Sequence, residues 1–286
     1  MEGPPDPATI DWEALYRRRG ASGEPGCEKE AAGFWDERAP DFGRKAHHPE
    51  QRRIAEELLD RFGWRPDERV LDVGAGPGTL TLPLARRVRE VTAFDLSAVM
   101  LEQLRQRMVH EGVTNIQVRQ GRWLDAPDEA VTGFDTVVCA NALGPAALTA
   151  DGDCEMGRAV ARLRAAARRG LVLVPHADQP ADAPMREAVG LPEPADRRER
   201  VALLYHIFVR QGLLPDLTIL QRPFFWSFRD LDEGVVVLGR RLRVADDPGR
   251  LARLRAHLGP RLEPDRDGHG FTLRYPVAQA LFTWGV

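Results

Sequence analysis

With 286 residues, 43% of them hydrophobic, the chain has apolar content for one enzyme-sized core, which excludes a disordered protein. Its formal net charge of -3 gives no general attraction to nucleic acid, and three widely spaced cysteines, Cys27, Cys139 and Cys154, exclude a disulfide framework or a zinc site. No apolar run approaches the roughly 20 residues that span a bilayer, and the start lacks a basic region followed by an apolar stretch, so the expectation is a soluble cytoplasmic protein.

In chain order, residues 1–48 read as an N-terminal arm and cap helices. The first 25 are rich in Pro, Gly and charge, with one amphipathic piece around Trp12, Leu15 and Tyr16, and predict a loosely attached arm. Phe34-Trp35-Asp36-Glu37-Arg38 then gathers aromatics on one side of a short helix ending near Pro40. A helix with Ile54, Leu58, Leu59 and Phe62 at helical spacing opens the main domain, residues 49–286.

From Arg69 to about Pro175 short apolar runs alternate with longer helical patterns, as in a parallel sheet covered on both faces. Strands are predicted at 69–73, 91–95, 115–120, 134–139 and 170–175, with helices at about 78–88, 97–111 and 153–168. Residues 176–197, with four prolines, read as a lid loop. Beyond it come a helix to Gly212, a strand at 217–225, a capped helix after Ser227 and Asp230, a helix at 248–258 and one or two strands at 270–284. The last strand is expected to return beside the sheet, making 228–262 a helical insertion.

The most informative stretch is Val70-Leu71-Asp72-Val73-Gly74-Ala75-Gly76-Pro77-Gly78-Thr79, an apolar strand running into a glycine turn. Glycines belong where a backbone turns sharply and a ligand approaches without meeting a side chain. Thr79 stands where a nicotinamide fingerprint needs its third glycine, and the Gly-Lys-Ser/Thr of a P-loop is missing. Seventeen residues after Gly78, Asp95 ends a second strand, where its carboxylate can accept both hydroxyls of a ribose. Cys139, in an apolar run, is expected to be a core residue.

These residues resemble the class I S-adenosylmethionine-dependent methyltransferases, with specificity over about 69–145. The resemblance implies an α/β fold with a seven-stranded, mostly parallel Rossmann-like sheet flanked by helices, its last strand antiparallel. It implies S-adenosylmethionine as cofactor and S-adenosylhomocysteine as product. Asp72 would support the loop or the methionine amino group, Gly74, Ala75, Gly76 and Gly78 the methionine part, Asp95 the ribose, and Leu96 the adenine. Where the family usually has an acid at the end of strand three, this chain has Gly121-Arg122-Trp123. Arg122 cannot accept a hydrogen bond, so either the Trp123 backbone and Asp125 meet the adenine edge or Arg122 faces away from it.

Asn141, just after strand four, is a candidate near the transferred methyl group, and equally a turn residue. His176, following strand five, is the first candidate for a general base, should the acceptor need to lose a proton. His206 reads as structural, and His47-His48 as an exposed pair. Asn141-Ala142-Leu143-Gly144 replaces the Asn/Asp-Pro-Pro-aromatic common in base-amine methylases, which disfavours nucleic acid and favours a small-molecule acceptor. The rival readings are an RNA or protein methyltransferase using Arg162-Arg164-Arg168-Arg169 and Arg240-Arg241-Arg243, and a non-catalytic nucleoside-binding module.

Overall fold

The computed structural model describes residues 9–20, 28–147, 155–175, 177, 182–193, 198–265 and 270–285. The elements in chain order are α1 (Trp12–Gly20), α2 (Glu28–His47), α3 (Pro49–Leu59), β1 (Arg69–Val73), α4 (Thr81–Ala85), β2 (Glu90–Asp95), α5 (Ala98–Glu111), β3 (Ile116–Gln120), α6 (Asp128–Val131) and β4 (Phe134–Ala140). They continue with α7 (Leu143–Ala146), α8 (Met156–Ala166), β5 (Ala167–Val174), α9 (Ala183–Ala188), α10 (Arg198–Arg210), β6 (Asp216–Phe228), α11 (Leu231–Arg241), α12 (Pro248–Leu258), β7 (Leu262–Pro264) and β8 (Phe271–Trp284).

The sheet runs β3-β2-β1-β4-β5-β8-β6, with the three-residue β7 added beside β8 as an eighth strand. Pairings from β3 through β5 are parallel, and β8 lies antiparallel to β5 through Leu171↔Trp284, Val172↔Thr283 and Leu173↔Phe282. This is the expected mostly parallel α/β sheet with an antiparallel final strand. β1 is buried from Val70 to Val73, which accounts for its mostly apolar run. Within that run Asp72 is the one carboxylate.

Three local expectations are corrected. The helix expected to stop near Pro40 continues to His47 as α2, although proline removes one helical hydrogen bond. Packing against α5 offsets that loss, where Gln103 donates to the Ala39 carbonyl at 2.9 Å. The helix expected over 78–88 shrinks to α4, because Asn115 Nδ2 donates to the Ala85, Val88 and Arg89 carbonyls and draws the chain out of helical bonding. The described part of the arm expected to be loose, residues 9–20, is docked, with Tyr16 buried and Trp12 stacked on His206 at 4.0 Å between ring centroids.

The chain divides into two compact units. Met1–Pro175, Glu199–Thr218 and Ala280–Val286 make the first, which carries the parallel strands. His176–Arg198 and Ile219–Gln279 make the second, with its own core of Met185, Val189, Phe228, Leu238, Leu254 and Leu273. The described part of the stretch expected as a lid loop therefore contains α9, whose Met185 is fully buried. His257 and Tyr275 meet at 2.7 Å in the same unit.

α11 starts on the expected Asp230, whose Oδ1 accepts the Glu233 N–H at 2.8 Å while Glu233 returns a bond to the Arg229 N–H. Asp230→Ala is expected to lower the midpoint of urea denaturation followed through tryptophan fluorescence, since the Glu233 N–H loses its cap.

Candidate functional site

The glycine turn is fastened by backbone bonds before any ligand is considered. Gly74 and Ala75 N–H both donate to the Phe94 carbonyl, at 2.7 and 3.2 Å, and Gly78 N–H donates to the Ala75 carbonyl at 3.0 Å. Gly74 has φ +75°, and a Cβ there would overlap the Cβ of Ala142, so the residues after β4 close directly over the turn. Gly76, at φ +55°, has nothing within 4 Å of its Cβ position, which leaves one side of the loop open to a ligand.

Asp95 faces this loop from the end of β2. Its Oδ2 accepts the Gly76 N–H and its Oδ1 the Ser97 N–H, both at 2.8 Å. Burial pushes this carboxyl above its usual range; the Ser97, Gly76 and Leu96 N–H groups pull it back, and neighbouring Asp36 pushes it up. A carboxylate has about four acceptor directions. The Gly76, Ser97 and Leu96 N–H groups leave part of that capacity for a ribose hydroxyl. Ser97 also caps α5 by accepting the Met100 N–H at 3.1 Å, and its hydroxyl donates to Asp36 of α2.

Asp72 is 2% exposed, and its Oδ2 accepts the Thr81 hydroxyl at 2.7 Å. Burial raises its pKa to about 6; the Thr81 bond lowers it and the Asp95 charge raises it. Cys139, one residue past the β4 partner of Asp72, is fully buried, and burial together with the Asp72 charge pushes its thiol up. It is a core residue, as its apolar run suggested.

The end of β3 stays beside the same edge, because Gly121 N–H donates to the Asp95 carbonyl at 2.9 Å. Arg122 is buried, with Nε 3.3 Å from the half-exposed Asp125 carboxylate. The Trp123 indole is buried edge-on to Phe94 at 6.0 Å, and Leu96 is half-buried beside Asp95. Asn141 takes φ +58°, a left-handed conformation that asparagine tolerates, and its N–H donates to the Val174 carbonyl at 2.9 Å. His176 lies outside the described residues. His47 donates to the Gly43 carbonyl at 2.7 Å, and His48 caps α3 by accepting the Glu50 N–H at 3.2 Å. Among the described residues no group of His, Cys, Asp and Glu is placed to hold a metal ion.

Two contributors escaped the sequence reading. Thr81 sits one turn beyond the glycines, a spacing that offered a signal. Asp36 had none, since its partner Ser97 is 61 residues away.

Residues 70–166 match the model described as a methyltransferase domain. These residues are a methyltransferase domain. The parallel sheet and glycine turn that carry them have the arrangement that the resemblance to class I methyltransferases implied. A probable ribosomal RNA small subunit methyltransferase A of Methanosphaera stadtmanae is 34% identical over 28% of this chain and 29% of its own length. A protein-L-isoaspartate O-methyltransferase of Nitrobacter winogradskyi is 36% identical over 32% of this chain and 43% of its own. The chain thus spans less than half the length of these curated relatives. The YcgJ protein of Bacillus subtilis shares the fold with a TM-score of 0.50 at 17% identity, over 80% of this chain and 97% of that one.

The methyltransferase domain carries a stability cost at Asp72. Its folded carboxyl holds a proton more tightly than the unfolded chain, so the associated stability is complete below the unfolded value of 3.8 and is lost as pH rises through about 6. Asp72→Asn is expected to exceed wild type by up to about 3 kcal/mol in urea denaturation at pH 8 and to converge with it near pH 4. Gly74→Ala is expected to lose more than about 2 kcal/mol, from the left-handed backbone and the overlap with Ala142 together, read as a fall in melting temperature.

Proposed function

We propose that the chain transfers the methyl group of S-adenosylmethionine to a small-molecule acceptor. The observation that carries this reading is the Asp95 carboxylate fastened to the open glycine turn at Gly76. In it, Asp95 holds the ribose hydroxyls, Asp72 and the turn of Gly74, Ala75, Gly76 and Gly78 hold the methionine portion, and Leu96, Arg122 and Trp123 line the adenine. When bound, the cofactor supplies an electrophilic methyl group on a positively charged sulfur. The protein's part is to align the acceptor and exclude water. Asn141 stands on the acceptor side, and His176 takes the proton where the acceptor must lose one.

The small-molecule reading draws support from how the arginines are used. Arg162 donates to the Leu124 and Ala126 carbonyls, Arg164 to the Ala167 carbonyl, and Arg169 pairs with buried Glu68 at 2.9 Å. In the second unit Arg241 pairs with Asp182 at 3.6 Å. These cations are engaged within the fold, which leaves less for the phosphate contacts that RNA binding depends on. The ribosomal RNA and protein methyltransferases among the relatives favour the rival acceptors, and the test separates them.

Calorimetric titration with S-adenosylmethionine and S-adenosylhomocysteine is expected to give micromolar binding by wild type, weakened at least about 30-fold in Asp95→Ala. With methyl-labelled cofactor and a fractionated cell extract, label is expected in the small-molecule fraction. Label in RNA or protein would transfer the activity to that acceptor class, and absence of cofactor binding by folded protein would remove the reading.

A further inference from the structure

Arg107 lies on α5 one turn after the buried Leu104 and is only 5% exposed, rare for arginine unless its donors are taken. Its Nη1 donates to the Pro77 carbonyl at 2.8 Å and its Nη2 lies 3.2 Å from Glu111 Oε1. Glu111 also pairs with Arg86 at 2.5 Å and, more distantly, with Arg52 at 3.8 Å. Burial pushes the Arg107 guanidinium below its usual value, while the surrounding arginines hold Glu111 below its own. Such a cluster seldom stabilises a protein more than apolar groups of the same shape, so what it adds here is geometry.

The peptide it grips belongs to the glycine turn. The Pro77 carbonyl and the Gly78 N–H are two ends of one planar group, with Arg107 bonded to the first and the second donating to the Ala75 carbonyl. The Ala75 carbonyl in turn shares its plane with the Gly76 N–H, which donates to Asp95 Oδ2. Three hydrogen bonds and two rigid peptide groups thus run from Arg107 to Asp95. Proline between them fixes one backbone angle.

We propose that Arg107 is a positioning residue for the cofactor, setting through the Pro77 and Ala75 carbonyls the direction in which Gly76 holds the Asp95 carboxylate. The inference rests on the cofactor reading above and adds to it a residue outside the family pattern of glycines and acids. Loss of this grip frees the Gly76 N–H from Asp95. The carboxyl, then facing the Ser97 and Leu96 N–H groups together with the Asp36 and Asp72 charges, takes up a proton at higher pH and releases ligand sooner on acidification.

The test is calorimetric titration with S-adenosylhomocysteine from pH 5 to 8, using wild type, Arg107→Met, Arg107→Lys and Glu111→Gln, with folding checked by circular dichroism. Arg107→Met is expected to bind roughly tenfold more weakly and to lose affinity at higher pH than wild type. Arg107→Lys, which retains a donor, is expected to fall between the two. Glu111→Gln is expected to lower the melting temperature yet keep affinity within about twofold and the pH profile unchanged, since the bond to Pro77 remains. A folded Arg107→Met with wild-type affinity and pH profile overturns the role of Arg107 alone, as does a Glu111→Gln as weak as Arg107→Met. If Arg107→Met does not fold, Glu111→Gln binding no better than Arg107→Lys overturns it. Wild type that binds no ligand overturns the cofactor reading and this role together.

Discussion

A carboxylate withdrawn from water needs donors, and the backbone around Asp95 is arranged to provide them. The glycine turn gives the Gly76 N–H and the start of α5 gives the Ser97 N–H, so one side chain joins the ends of β1 and β2 to the helix that follows. Without those bonds, burial would cost several kcal/mol or force the group to stay protonated. Ser97 extends the same connection outward, through its hydroxyl, to Asp36 on α2.

The parallel register makes that convergence possible. Asp72 pairs with Ala93 on one side and Val138 on the other, so the turn after β1, the carboxylate ending β2 and the Asn141-Ala142 turn after β4 emerge along one edge. Ligands of open α/β sheets bind along this edge. The close approach of Ala142 to Gly74 shows how little space the arrangement leaves for change. Asp72 illustrates the same tension, since a neutral group of its size would suit the interior better.

Much of this was legible because it is local. Gly74, Gly76, Gly78 and Asp95 each declare themselves by their place at a strand end, and Ser97 and Asp230 by standing where a helix begins. What was not legible depends on distant partners. Helix α2 crosses Pro40 because α5 packs against it, a fact that no property of residues 28–47 reveals. Asp36 and Trp12 gain their roles from Ser97 and His206. The proline-rich stretch looked like a loop because a helix as short as α9 has too few residues to display a period, and its buried Met185 and Val189 find their core on α11 and α12. Arg107 left a faint trace, a charged residue one turn from Leu104 on the apolar face of α5, matched by Glu111 four residues later.

The sheet order also bears on how this chain can assemble. β8 is made after β6 yet lies between it and β5. Until β8 is inserted, the inner edge of β5, with Leu171, Val172 and Leu173, presents unpaired backbone groups beside apolar side chains. Synthesis therefore passes through an interval in which the molecule offers a ready template for a second chain, and a delay in placing that strand favours association between copies over completion of the fold.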